Sequence, residues 1–149
     1  MANLIFTNAT KIIGDGTIDW DNGAHTYRAL LCTSSYTPDV DLDIYVSDID
    51  NELSGGSYAR KDLANRAVTK DTGTNASWYE ADNLTYTGLT NGQTATQALI
   101  YKFVTNDADS PLIAKVDINT GTGVVMTGDV EIKWNSETTN GRIFTVTAV

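Results

Sequence analysis

Several residue types are scarce in this 149-residue sequence, and each shortage excludes a class of protein. A single cysteine, Cys32, excludes an internal disulfide framework. A single histidine, His25, excludes a multi-histidine metal site and gives little basis for a catalytic triad. No stretch approaches the roughly 18 consecutive apolar residues of a membrane-spanning helix. The N-terminal residues lack a basic region followed by a long apolar run, so we expect no secretory signal.

Basic residues are also in short supply. Ten Lys and Arg stand against 19 Asp and Glu, which gives a formal net charge of −9. Phosphate backbones and anionic lipid surfaces are bound by clustered Lys and Arg. We therefore expect neither nucleic acid nor a membrane as a partner, and we expect the charge to favour solubility.

The composition predicts a mainly β fold. Glutamate occurs four times and proline twice, whereas Thr, Asn, Asp and Gly are abundant. The abundant types belong to strands and turns, and helix-rich domains favour other residues. The length fits one domain, 1–149, of antiparallel β-sandwich or barrel-like architecture.

Alternating apolar residues and turn signals divide the chain into strands. Turn signals include Asn22-Gly23, Asn91-Gly92 and Asn140-Gly141. Residues 3–11 lack helical periodicity and are interpreted as an extended segment, either a strand or an N-terminal arm that would comprise residues 1–10. The strands are predicted at residues 17–20, 25–32, 58–62, 67–70, 77–81, 84–87, 96–104, 111–118, 129–135 and 142–149.

One short helix is predicted near residues 39–49. Thr37-Pro38 is a typical helix start, and the acidic residues that follow would lie at the positive end of the helix dipole. Val40, Ile44 and Ile49 are spaced roughly as one helical face.

Charge changes sign abruptly within residues 48–70. Six acidic residues and no base lie between residues 39 and 52, and Ser54-Gly55-Gly56 then interrupts regular structure. The segment that follows carries four bases, namely Arg60, Lys61, Arg66 and Lys70. These opposite charges either neutralise each other within one molecule or meet across a contact with a neighbour. We favour a contact with a neighbouring molecule.

An alternative for the acidic run is a cation site, because Asp39, Asp41 and Asp43 have the alternate spacing of a calcium loop. The sixth position of such a loop requires glycine and is Ile44 here, and the twelfth position, Asp50, is not glutamate. We therefore predict no metal and no other cofactor.

Enzyme motifs are not evident. No serine stands in a G-x-S-x-G context, so the sequence favours a non-enzymatic protein. Fifteen aspartates leave a glycosidase carboxylate pair as a distant alternative. Trp78, Tyr79 and Tyr86 are candidate sugar-stacking residues, which would make the chain a carbohydrate-binding module. The competing interpretation places these aromatic residues in the core or at a subunit contact.

Four groups of residues form a further pattern, and together they span most of residues 48–149. The first comprises Asp48-Ile49, Glu52-Leu53-Ser54-Gly55, Tyr58-Ala59-Arg60 and Leu63. The second is Ala81-Asp82-Asn83-Leu84-Thr85-Tyr86. The third comprises Leu99-Ile100-Tyr101-Lys102 and Ser110-Pro111-Leu112-Ile113-Ala114, and the fourth is Gly128-Asp129 with Ile132 and Trp134.

These four groups resemble those of a family of small structural proteins of tailed bacteriophages. The resemblance implies a virion structural protein of the capsid decoration, or cement, type. Such a protein would be made in the host cytoplasm and bind the exterior of the phage head, with the major capsid protein and copies of itself as partners. The expected contact residues are Leu4, Ile5 and Phe6 in the arm, together with Arg60, Lys61, Arg66 and Lys70. The alternative is a tail-associated or carbohydrate-binding adhesion domain that uses Trp78, Tyr79 and Tyr86.

Overall fold

Short antiparallel strands make up most of the chain. The computed structural model describes residues 3–134 and 141–147, and within them it contains one α-helix, α1 (Thr7–Gly14), and twelve strands. The strands are β1 (Leu4–Ile5), β2 (Thr26–Cys32), β3 (Lys61–Asp62), β4 (Ala67–Asp71), β5 (Ala76–Ala81), β6 (Leu84–Leu89), β7 (Thr94–Ala95), β8 (Gln97–Phe103), β9 (Leu112–Asp117), β10 (Val124–Val125), β11 (Gly128–Ile132) and β12 (Gly141–Thr147).

The strands form one large and three small antiparallel sheets. The large sheet has the order β1-β9-β8-β2-β3, and a three-stranded sheet has the order β12-β5-β4. The pairs β11-β6 and β10-β7 complete the set. The domain is therefore mainly β and sandwich-like with one α-helix, which confirms the predicted fold class.

The core is centred on β8 and β9, the two inner strands of the large sheet. Leu99, Ile100 and Tyr101 of β8 are fully buried, as are Leu112 and Ala114 of β9. Adjacent residues of a strand point to opposite faces, so both faces of this part of the sheet are covered. The covering elements in contact with β9 include α1 and β12.

The helix predicted near residues 39–49 is not formed, and the α-helix lies at Thr7–Gly14 instead. Only the short 3₁₀ helix Val46–Asp48 is present in the predicted range. Aspartate side chains there bind nearby backbone N–H groups. Asp48 Oδ2 accepts hydrogen bonds from the N–H groups of Ile44 and Tyr45 at 2.9 and 2.8 Å. Such local bonds compete with helical ones, which explains why the pattern was misleading.

The described part of the predicted arm, residues 3–10, is packed onto the domain. Leu4 pairs with Lys115 and Ile5 with Ala114, so β1 is an edge strand of the large sheet. Phe6 has no exposed surface, and its N–H donates to the Ile113 carbonyl at 3.0 Å. Burial of Phe6 anchors the segment, so residues 3–10 are not an extended arm.

Most predicted strands are present, and two differ. Residues 17–20 form no strand, although Trp20 is buried and its indole N–H donates to the Glu80 carbonyl at 2.9 Å. The strand predicted at 58–62 is reduced to Lys61–Asp62. The predicted Asn140-Gly141 turn begins outside the described residues.

Candidate functional site

Arg60 lies in the segment 48–70, where the sign of the charge changes. Its guanidinium binds two carboxylates of the same chain. Nε donates to Glu52 Oε1 at 2.8 Å and Nη2 donates to Glu52 Oε2 at 2.7 Å. Nη1 and Nη2 donate to the two oxygens of Asp107 at 2.6 and 3.0 Å. Four of the five guanidinium N–H donors are thereby occupied within the chain.

A glycine turn brings Glu52 and Arg60 together. Gly55 and Gly56 have φ values of +75° and +56°, which side chains other than hydrogen rarely allow. A Cβ on Gly56 would also lie 2.2 Å from the Asn91 backbone. The chain reverses at this turn, and Tyr58 then donates its hydroxyl to Glu52 Oε1 at 3.1 Å. The local sequence thus sets the geometry of the ion pair.

The hydrogen bonds of this cluster favour the charged forms of Arg60 and Asp107. Hydrogen bonds to Glu52 and Asp107 raise the pKa of Arg60 above its ordinary value. The hydrogen bond from Arg60 lowers the pKa of Asp107. Arg60 and Glu52 are only 27% and 25% exposed, whereas Asp107 is 46% exposed. The cluster ties residues 52–60 to the loop before β9.

Arg66 is also occupied within the chain. Its Nε donates to the Trp20 carbonyl at 2.8 Å, and Nη1 donates to the Leu63 carbonyl at 2.9 Å. Nη2 donates to the carbonyls of Asn22 and His25 at 3.0 and 2.8 Å. Arg66 therefore connects residues 20–25 to the segment before β4 through hydrogen bonds, and its guanidinium has a structural role.

The two lysines of the predicted basic patch have different surroundings. Lys61 is half-buried, with Nζ 5.1 Å from the ring centroid of Tyr86. Lys70 is exposed on β4, opposite Ser77 of β5. Of the four predicted contact bases, Lys70 is the one whose side chain is exposed and has no partner among the described residues.

The predicted apolar contact residues are less exposed to solvent than they would be in an extended N-terminal arm. Leu4 and Ile5 are half-buried and line a cleft of about 530 Å³ that Trp134, Arg142 and Phe144 also border. Phe6 is fully buried and is not available to a partner in this fold.

The three candidate sugar-stacking residues do not share one surface. Tyr86 is 2% exposed. Tyr79 is stacked on Phe144, with ring centroids 4.3 Å apart, and also contacts Trp20. Trp78 alternates with Tyr79 along β5 and so projects from the opposite face, where the Arg142 guanidinium lies 4.6 Å from its ring centroid. Trp78 and Tyr79 are both half-exposed but lie on opposite faces of β5, and Tyr86 is buried.

The aspartates of residues 39–43 form hydrogen bonds within their own loop and to α1. Asp43 Oδ2 accepts the Tyr36 hydroxyl at 2.6 Å and the Asp39 N–H at 2.9 Å. Asp41 Oδ1 accepts the Thr7 hydroxyl at 2.6 Å, beside the start of α1. Across residues 3–134 and 141–147, no three His, Cys, Asp or Glu side chains are grouped to hold a metal ion. The helices in those ranges also lack the length and apolar character needed to cross a membrane.

The single cysteine is buried and poorly reactive in character. Cys32 has no exposed surface, and burial raises the pKa of its thiol to about 12. Since the thiolate is the nucleophilic form, a nucleophilic role for this residue has no support from its surroundings.

The residues that carry the phage resemblance contact one another across long sequence distances. The Trp134 indole donates to the Asp82 carbonyl at 2.8 Å, and the Trp134 N–H donates to Asn83 Oδ1 at 3.3 Å. Asp129 Oδ1 accepts the Gly88 N–H at 2.9 Å. The first group supplies the Glu52–Arg60 pair. These residues hold the fold together.

Leu42 is an exposed apolar residue that the sequence analysis placed within the predicted helix. It is 73% exposed, the highest value among the exposed large apolar residues of the described chain. Val40 and Tyr45 nearby are 38% and 40% exposed. Asp39 and Asp41 are exposed as well, so apolar and acidic side chains lie side by side on this surface.

Comparison of the chain with protein-family models, with curated proteins and with solved structures finds no match.

Proposed function

We propose that the chain is a non-enzymatic structural protein of a tailed-phage virion, a capsid decoration protein that binds the outside of the assembled head and stabilises it. The proposal begins from the resemblance carried by four groups of residues between 48 and 134. Its partners would be the major capsid protein and further copies of this chain.

The observation that carries the proposal is the structural role of those groups. Trp134 forms hydrogen bonds with Asp82 and Asn83, which lie about 50 residues earlier in the chain. Arg60 binds Glu52 across the glycine turn and also Asp107, 47 residues further along. Residues with such roles determine a fold, so a resemblance concentrated in them supports a shared architecture with the phage family. A likeness of scattered surface residues would support much less.

The physical character of the domain suits this role. A decoration protein adds interface free energy at many equivalent positions on a shell, which requires a body that does not deform when the shell is under pressure. Here the guanidinium groups of Arg60 and Arg66 tie loops to one another. The acidic net charge of −9 disfavours non-specific association at high local concentration.

The direct experiment is a binding titration on shells. Heads of the phage whose genome encodes the chain are prepared from a strain in which the gene is deleted, and purified protein is added. We expect saturable co-sedimentation with a fixed number of copies per head and a higher disruption temperature of the decorated heads. No bound protein at saturating concentration would reject the proposal.

A carbohydrate-binding adhesion role has weaker support, because the structure separates Trp78, Tyr79 and Tyr86. A glycan array discriminates between the two functions. Binding to a glycan that is lost in Trp78→Ala would favour the adhesion domain, whereas a blank array together with head binding would favour the decoration protein.

A further inference from the structure

The loop formed by residues 39–48, here called the acidic loop, presents apolar side chains to solvent. Leu42 is 73% exposed, Tyr45 40% and Val40 38%. Single exposed apolar residues are common on protein surfaces, but three within six residues make a local patch.

The backbone of the acidic loop is fixed at three points to the body of the domain. The Thr7 N–H at the start of α1 donates to the Val40 carbonyl at 2.9 Å. The Leu112 N–H at the start of β9 donates to the Ile44 carbonyl at 2.9 Å. The Val46 N–H donates to the Ser110 carbonyl at 3.0 Å. The loop is consequently held in one conformation from two sides.

The carboxylates of the loop are directed toward its own backbone and neighbours. Asp39 accepts two loop N–H groups, and Asp48 Oδ2 accepts those of Ile44 and Tyr45 at 2.9 and 2.8 Å. Asp41 and Asp43 accept the hydroxyls of Thr7 and Tyr36. Asp39, Asp41 and Asp48 are nevertheless exposed, so charged and apolar side chains share the surface of the loop.

The loop also carries negative charge that is not neutralised nearby. No Lys or Arg occurs in the sequence between Arg28 and Arg60. In the part of the chain that the structure describes, none of Asp39, Asp41, Asp43 and Asp48 forms an ion pair. A binding partner with an apolar pocket and a basic rim would complement both the patch and its charge.

We propose that the acidic loop is the shell-contacting element of the protein, with Leu42 inserting into an apolar, basic-rimmed pocket of the major capsid protein. This inference rests on the proposed function and names the surface that performs it. A loop already fixed in its bound conformation loses little conformational entropy on binding, which favours affinity. A central apolar anchor surrounded by polar residues is the usual arrangement of an interface hot spot.

The test compares Leu42→Asp with the control Val125→Asp in the titration on gene-deleted heads. Val125 is 54% exposed and lies on β10, away from the acidic run in sequence, so the control introduces the same charge at another exposed apolar position. We expect Leu42→Asp to weaken binding by at least about 10-fold, in line with loss of an interface anchor. Val125→Asp should bind within about 2-fold of the wild type, since surface changes outside an interface have small effects.

The salt dependence provides a second readout. Raising the ionic strength from about 0.05 to about 0.5 M should weaken wild-type binding, because screening removes the attraction between the acidic loop and a basic rim. Circular dichroism of Leu42→Asp should match the wild type, since the side chain is exposed.

Each outcome separates the inference from the function on which it rests. If the wild type does not bind heads, the proposed function fails. If the wild type binds and Leu42→Asp binds equally well, the function stands and the acidic loop is not the contact. If Leu42→Asp changes only the oligomeric state of the free protein, measured by light scattering, the loop joins copies of the chain and the inference is overturned.

Discussion

Arg60 and Glu52 face each other across a glycine turn, joined by two hydrogen bonds of 2.8 and 2.7 Å. The same guanidinium binds Asp107, which is 47 residues further along the chain. The abrupt change of charge in this part of the sequence therefore has an internal function. One arginine joins the acidic segment, the turn and the loop before β9.

Replacing Arg60 with lysine should destabilise the protein although the charge is retained. An ammonium group cannot form two parallel pairs of hydrogen bonds, so we expect a loss of about 1–2 kcal/mol in the free energy of unfolding. Urea denaturation measures this loss. The matched control is Lys11→Ala, which removes an exposed pair with Asp15 and should cost less than about 0.5 kcal/mol. Equal effects of the two changes would refute the structural role of Arg60.

The contribution of Asp107 to stability should depend on pH. Its folded-state pKa is lowered from 3.8 by Arg60, so its contribution is fully present well above that value and is lost as the pH falls through the folded pKa. Asp107→Asn should therefore be less stable than the wild type at neutral pH. The difference should shrink as the pH falls from about 5 toward 2, because the wild-type carboxylate becomes protonated. Denaturation at a series of pH values measures the difference, and a constant difference would contradict the assignment.

Arg66→Lys should be more destabilising than a change at an exposed base. The substitution leaves some of the four carbonyls that Arg66 binds without a donor, for which we expect a loss of about 2–3 kcal/mol. Lys70→Ala on the exposed face of β4 should change the free energy of unfolding by no more than about 0.5 kcal/mol. Thermal denaturation of the two variants compares their stabilities. Similar stability of Arg66→Lys and Lys70→Ala would exclude a structural role of the Arg66 hydrogen bonds.

Cys32 should react with thiol reagents only when the protein unfolds. Burial raises the pKa of its thiol to about 12, and the side chain has no exposed surface. Labelling at about pH 8 should be at least about 100-fold slower in the native state than in urea, because both access and thiolate are lacking. Rapid native labelling would show that β2 is less protected than its burial indicates.

Local patterns in the sequence were sufficient to predict much of the β structure. Alternating apolar residues located β2, β8 and β11, because period-two patterns depend on neighbouring residues alone. The helix prediction was wrong because the side chain of Asp48 binds the N–H groups of Ile44 and Tyr45, which a helix over residues 39–49 would use. The true helix at Thr7–Gly14 is short, and its burial of Ala9 and Ile12 depends on packing that local periodicity did not reveal.

The candidate site was harder to predict than the fold. The sequence separates Arg60 from Asp107 by 47 residues, and Arg66 from the Trp20 carbonyl by 46. No local rule connects such groups, so bases that are structural were predicted to be contact residues. Leu42 was assigned to a helix, and its exposure became evident only from the loop conformation.

A cryo-electron microscopy reconstruction of gene-deleted heads, with and without added protein, tests the central claim most directly. We predict additional density at symmetry-equivalent positions on the outer surface, of a size and shape that fit this β domain, with the acidic loop turned toward the shell. Heads that show no added density after incubation at saturating concentration would contradict the assignment as a capsid decoration protein.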